Sequence, residues 1–123
     1  MSKIYIQGTF GAYSHLAALE IEPNADVVPC KTFDECFLKA SSENNSRILI
    51  PESNRITGNI GIEYLIFKYR LNIYAEHFQK IEHNLLGQPG SSLKDIKDVF
   101  SHTQGLSQCS NFIKKNNFIE HIR

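Results

Sequence analysis

The run Ile48-Leu49-Ile50, uninterrupted by any polar residue, restricts the possible folds of this chain more than any other feature. Successive side chains of a strand point to opposite faces, so a strand with this run needs cover on both sides. Similar strand-and-helix units lead into it. Lys3–Gln7 is a strand, apolar at Ile4 and Ile6 with Tyr5 between, and a helix from about Ala12 to Ile21 follows, burying Ala12, Leu16 and Leu19. Asp26–Cys30 is the second strand. Thr32-x-x-Glu35 then starts a helix as a capping box, with Phe33, Cys36, Phe37 and Ala40 on its core-facing stripe. Ser41–Ser46 is a polar connection, and Arg47–Pro51 is the third strand. Strands and helices alternating in this order predict an α/β architecture with parallel pairing.

The connections suggest where a ligand approaches. Gly8 and Gly11 bracket a loop whose backbone can come close to a bound molecule, and Tyr13 and Ser14 fall in the first helical turn after it. Pro23-Asn24 ends that unit. The segment Pro51–Asn59 leaves the C-terminal end of the third strand, the side on which open α/β sheets bind ligands. Asn59 is the expected cap of a helix that buries Ile62, Leu65, Ile66 and Tyr69. Asn72–Gly87 reads as one or two long strands crossing away from the first sheet. Gln88-Pro89-Gly90 is a turn and Ser92-x-x-Asp95 a short helical turn, after which Asp98–Phe100 is the strand that delivers Ser101.

Val99–Cys109, VFSHTQGLSQC, reads as a short strand, a tight turn and the start of a helix. Ser101 and Gln104 have the S-x-x-Q spacing of a capping box, and Leu106, Cys109 and Ile113 form the apolar face anchoring the helix. Ser101, His102, Gln104 and Gln108 then line the strand end and the exposed first turns. Backbone donors and the positive end of the helix dipole suit a carboxylate there. An ordinary capped helix with solvated glutamines fits the same pattern.

Thirteen basic and thirteen acidic residues give zero formal net charge, and no basic patch stands out, so nucleic acid is not an expected partner. Apolar runs are a few residues long, too short to span a membrane. The opening KIYIQG reads as a strand rather than as a charged-then-apolar leader, so no signal peptide is expected in this stretch. Cys30, Cys36 and Cys109 are scattered, with no C-x-x-C, which predicts reduced, packed thiols and a cytoplasmic protein. His77 and His83 lack the one-face spacing of a zinc site, so no metal is expected.

The Ser-His-x-Gln-x-x-x-Gln-Cys segment after a short strand resembles a signature of the prephenate dehydratases, lyases that make phenylpyruvate for phenylalanine synthesis. Other stretches agree in order. IQGTFGAYSHLAAL is similar to that family's N-terminal Gly-x-x-Gly-x-Tyr/Phe-Ser segment, VVPCKTFDECF to its second strand and helix, and EHNLLGQPGSSLKDIKDVFSH to its hydrophobic-turn-strand passage. The resemblance implies a two-lobed periplasmic-binding-protein-like (type II) sandwich: lobe one at about residues 1–72, then a crossover and part of lobe two at about 73–123. It implies a cleft between the lobes and a homo-oligomer in the full-length family. The reaction needs no cofactor. Prephenate loses its ring hydroxyl as water and its ring carboxylate as CO2, and aromatisation drives both. By the same resemblance Asn54, Ser101 and Gln108 contact substrate, with Gln104, His102, Tyr13 and Ser14 as further contacts, and His83 supports the crossover.

The departures from the family pattern fall at one loop and at the chain end. Anchored on Pro51 and Gly58, Ser53 stands where the family usually has glutamate and Arg55 where it has serine, while Glu52 is one position early. Arg55 is then either a carboxylate ligand or a solvated loop residue. The family's Thr-Arg-Phe motif lies downstream of the Ser-His segment and is not reached by Arg123. The chain therefore resembles an N-terminal part of the catalytic domain, lacking the catalytic threonine, and is expected not to turn over prephenate alone. Arogenate dehydratase is the near relative that these motifs do not separate. The further alternatives are a non-catalytic small-carboxylate-binding module and a plain α/β interaction domain on the same scaffold.

Overall fold

The computed structural model describes residues 2–51, 53–54, 58–59 and 61–123, and of 53–54 and 58–59 the backbone only. These residues fall into two units, one mainly Met1–Asn54 and Asn59–Ile81, the other mainly Glu82–Arg123.

In the first unit, β1 (Lys3–Gln7), β2 (Asp26–Cys30) and β3 (Ser46–Leu49) form a sheet of order β2-β1-β3. Both pairings are parallel, with Ile4 opposite Val27 and Arg47. The parallel α/β expectation holds. The strand covered on both faces is β1, however: Ile4, Tyr5 and Ile6 are all buried, whereas every residue of β3 is half-buried at the sheet edge. Ile48 and Leu49 still serve opposite faces, Ile48 against Tyr5, Cys30, Cys36 and Ala40, and Leu49 against Ile4, Ile6, Ala18 and Val27. Pro29 is tolerated because β2 is an edge strand, where a missing N–H breaks no ladder.

Helix α1 (Tyr13–Ile21) covers the Ile4–Ile6 face and α2 (Phe33–Ser42) the Tyr5 face. The face of α1 follows the predicted one at Leu19, which packs on the core, and departs from it at Leu16. Ala17 and Ala18 are buried, Ala12 and Leu19 are half-buried, and Leu16 is 43% exposed. Two small residues let the helix backbone approach the sheet closely, which leaves Leu16 turned outward. In α2 the predicted stripe holds, with Cys36, Phe37 and Ala40 buried. Its capping box is shifted. Thr32 Oγ1 accepts from the Glu35 N–H at 3.1 Å, but Glu35 reaches past the cap to the Lys31 N–H at 2.8 Å.

Short strands β4 (Ser53–Asn54) and β5 (Gly58–Asn59) pair with each other. Helix α3 (Glu63–Tyr69) buries Ile62 and Leu65, with Ile66 and Tyr69 half-buried. Its N-cap is Ile62 rather than Asn59. Asp34 ties α3 to α2, accepting from Lys68 Nζ and Tyr69 Oη at 3.0 Å each.

No strand forms over residues 72–87. Extended backbone becomes a strand only beside a partner ladder, and none lies along this segment among the described residues. Side chains hold it instead: Tyr74 accepts from Arg47 Nη1 at 2.9 Å, and His77 meets Glu20 at 3.1 Å.

The second unit opens with the predicted turn, in which Ser91 N–H donates to the Gln88 carbonyl at 3.0 Å. A single 3-10 turn at Leu93–Asp95 follows, with Asp95 accepting from both the N–H and the hydroxyl of Ser92. Strand β6 (Asp98–Ser101), helices α4 (Thr103–Gln108) and α5 (Ser110–Lys115) and strand β7 (Ile119–Ile122) then make a βαβ unit, with β6 and β7 parallel. Val99, Leu106 and Ile113 are its buried core, backed by Ile96, Cys109 and Phe118. Strand β7 lies in a stretch to which the sequence analysis assigns no element. A left-handed Asn117, at φ 55°, ends α5 and turns the chain back alongside β6.

Candidate functional site

Ser101 is the last residue of β6 and His102 the N-cap of α4. The predicted Ser101/Gln104 capping box is not formed. The Gln104 N–H donates to His102 Nδ1 at 3.3 Å instead, so the imidazole caps the helix and Ser101 remains in the strand. Ser101 is held in another way. Its Oγ lies 2.7 Å from where a Cβ on Gly105 would stand, so the hydroxyl sits over a glycine. The sequence shows Gly105 only as a glycine inside a helix, which is a weak signal of close approach.

The helix itself is interrupted. Cys109, at φ −98° and ψ 10°, separates α4 from α5, each of six residues. The dipole behind Ser101 is therefore that of a short helix, weaker than the continuous helix the sequence suggests. Ser101, His102 and Gln104 are exposed, and Gln108 is half-buried at the end of α4. Gln108 Oε1 meets His83 Nε2 at 2.5 Å. His83 thus touches a predicted contact directly, which the sequence reading assigned only to crossover support.

In the first unit, Tyr13 and Ser14 occupy the first turn of α1, both half-buried. The turn before them starts where the Gly8 N–H donates to the Cys30 carbonyl at 3.0 Å. Asn54 lies in β4, but its side chain, with Ser53, Glu52 and Arg55, falls outside the described residues. The structure therefore places the Ser101–Gln108 group in one strand–helix passage and the Tyr13–Ser14 pair in another. An open hollow of about 530 Å³ at the end of α3, lined by Ile66, Phe67, Arg70 and Leu71 among others, contains none of them. The cysteines are free thiols, and burial pushes the Cys36 thiol well above its ordinary pKa, which favours the neutral form.

Parallel βαβ units, with the uncharged Ser101 at the tip of β6, place the protein among the open parallel α/β folds, a class that generally recognises ligands at the C-terminal ends of strands. Comparison with known proteins makes this specific. The chain belongs to the prephenate dehydratase family, whose model matches residues 4–123. It is 40% identical over 110 residues to arogenate dehydratase/prephenate dehydratase 1 of Arabidopsis thaliana, covering 89% of this chain and 28% of that protein. It is 33% identical over 111 residues to a bifunctional N-acyl-homoserine lactone acylase/prephenate dehydratase of Komagataeibacter europaeus, covering 89% of this chain and 40% of that one. Among solved structures, one described as GqqA, a novel type of quorum quenching acylase, superposes with a TM-score of 0.77 at 30% identity, covering 98% of this chain and 45% of that chain. The prephenate dehydratase of Staphylococcus aureus superposes at 0.72 with 24% identity, covering 98% and 47%, and shares the fold, the type II periplasmic-binding-protein-like α/β architecture. The chain spans between about a quarter and two fifths of the length of these curated relatives.

Proposed function

We propose that this chain supplies part of the substrate-binding surface of a prephenate dehydratase, acting in decarboxylating dehydration of prephenate to phenylpyruvate. The observation that carries this reading is the Ser101–Gln108 passage, which presents a hydroxyl and two carboxamides, in a chain of this family. The reaction places particular demands on such a surface. A proton must reach the departing hydroxyl, one carboxylate must be held, and the ring carboxylate must leave unhindered as CO2. Neutral donors meet the last two demands together, because a tight ion pair on the leaving carboxylate would oppose decarboxylation. Ser101 and Gln108 are read as substrate contacts together with Asn54, with Gln104, His102, Tyr13 and Ser14 as supporting contacts.

A second reading takes arogenate as the substrate, favoured by relatives such as arogenate dehydratase 2 of Petunia hybrida, 38% identical over 114 residues. Arogenate differs in carrying an ammonium on its side chain where prephenate has a keto group. Parallel calorimetric titrations with the two compounds separate the readings. Tighter binding of prephenate supports the first and tighter binding of arogenate the second. Binding of neither contradicts both.

A further inference from the structure

Helices α1 and α2 close their first turns in the same way. In α2, Glu35 stands at the third helical position and accepts from the N–H of Lys31, the residue just before the N-cap, at 2.8 Å. In α1 the N-cap is Ala12, which has no polar side chain to offer. His15 takes the place of Glu35. Its Nδ1 accepts from the N–H of Gly11, again the residue just before the N-cap, at 2.9 Å. Phe10 lies edge-on against the same ring with centroids 5.2 Å apart, so the imidazole is gripped from two sides by the loop it closes.

The loop needs such a grip. Gly11 sits at φ 87°, where an L side chain is strained, and its N–H lies one residue ahead of the N-cap, outside the helix's own hydrogen-bond ladder. An Nδ1 that accepts fixes the tautomer, with the proton on Nε2 and the ring neutral. We propose that His15 is a positioning residue whose neutral imidazole, by taking the Gly11 N–H, holds the Gly8–Ser14 turn in the shape that presents Tyr13 and Ser14. The proposal rests on the reading of Tyr13 and Ser14 as substrate contacts. The histidine acts through the turn, with no contact to substrate of its own.

The test combines nitrogen NMR of the imidazole, hydrogen exchange of the Gly11 amide and prephenate titration, in wild type, His15→Ala and His15→Glu. The wild-type ring is expected in the Nε2-protonated form. Protection of Gly11 falls about fivefold in His15→Ala and is retained in His15→Glu, whose carboxylate copies Glu35. Prephenate affinity follows the protection, falling in His15→Ala and returning in His15→Glu. An Nδ1-protonated ring, or a Gly11 amide equally protected in His15→Ala, overturns the proposal. So does a His15→Ala protein that binds prephenate as wild type does. A wild type with the expected tautomer and a protected Gly11 that binds no prephenate upholds the lock, overturns its tie to substrate, and counts against the proposed function.

Discussion

His83 Nε2 lies 2.5 Å from Gln108 Oε1, joining the segment ahead of β6 to the end of α4 within the second unit. An amide oxygen can only accept, so the ring nitrogen donates and the Gln108 NH2 is turned away from His83 as a donor. That is the polarity the proposed carboxylate contact needs. In His83→Ala the amide loses its anchor and rotates. Prephenate affinity then falls about fivefold, the equivalent of roughly 1 kcal/mol for one hydrogen bond, with little change in melting because His83 is exposed. Calorimetric titration reads this directly, and equal affinities in the two proteins would sink the assignment.

Gly105→Ala separates stability from binding. Alanine favours a helix over glycine by about 1 kcal/mol, so α4 gains on propensity. The new methyl carbon would stand 2.7 Å from Ser101 Oγ, and the hydroxyl, at the end of a rotatable side chain, swings off. The expected protein melts at or above the wild-type temperature yet binds prephenate about tenfold more weakly. A variant matching wild type in both measurements contradicts the placement of Ser101 over Gly105.

The core makes unequal demands on two aliphatic residues that look alike in sequence. Ile6 is fully buried on the face of β1 that α1 covers, and Leu16 is 43% exposed. Ile6→Ala is expected to cost about 2–5 kcal/mol, as for other large-to-small core changes, while Leu16→Ala costs under about 1 kcal/mol. Chemical denaturation of the two variants checks the order; comparable losses would place α1 on the wrong face.

Acid weakens the first unit through carboxylates held by partners. Hydrogen bonds from Lys68 and then Tyr69 hold Asp34 below its ordinary carboxyl range, and Lys39 and the Lys31 N–H do the same for Glu35. A carboxyl with a lowered folded pKa contributes stability above its unfolded pKa and loses it as pH falls through the folded one. Asp34→Asn and wild type should therefore differ in melting temperature at neutral pH and converge below about pH 4. At the alkaline end Tyr5 acts in reverse. Burial, then Glu43, pushes its phenol up to about 12, so its contribution is whole below about pH 10 and lost as pH rises toward 12. Melting curves that stay parallel across the acid range contradict the Asp34 pairing.

The sequence was most informative where local chemistry decides. The bounds of β1 and β2, the stripe of α2 and the Ser92–Asp95 turn all follow from side-chain period and capping residues. It was least informative where neighbours decide. Residues 72–87 have strand-like composition, but a ladder needs a partner the residues themselves do not specify. The α1 face is made by Ala17 and Ala18 with Leu19 packed alongside as expected, while Leu16 turns outward. Phe118–Ile122 is apolar enough for β7, and Asn117 is the residue type that ends a helix in the left-handed region, yet both fall in a short stretch easily read as a tail. At the site, Ser101 and Gln108 were legible as polar residues after a strand. The groups that orient them, Gly105 and the Nε2 of His83, are visible only as contacts.

The claim that Ser101 and its neighbours recognise a carboxylate is tested most directly by calorimetric titration of prephenate into the purified chain, wild type against Ser101→Ala. Saturable binding that weakens about tenfold in Ser101→Ala, with melting unchanged, is the expected result. Binding that is absent from the wild type, or undiminished in the variant, would contradict it.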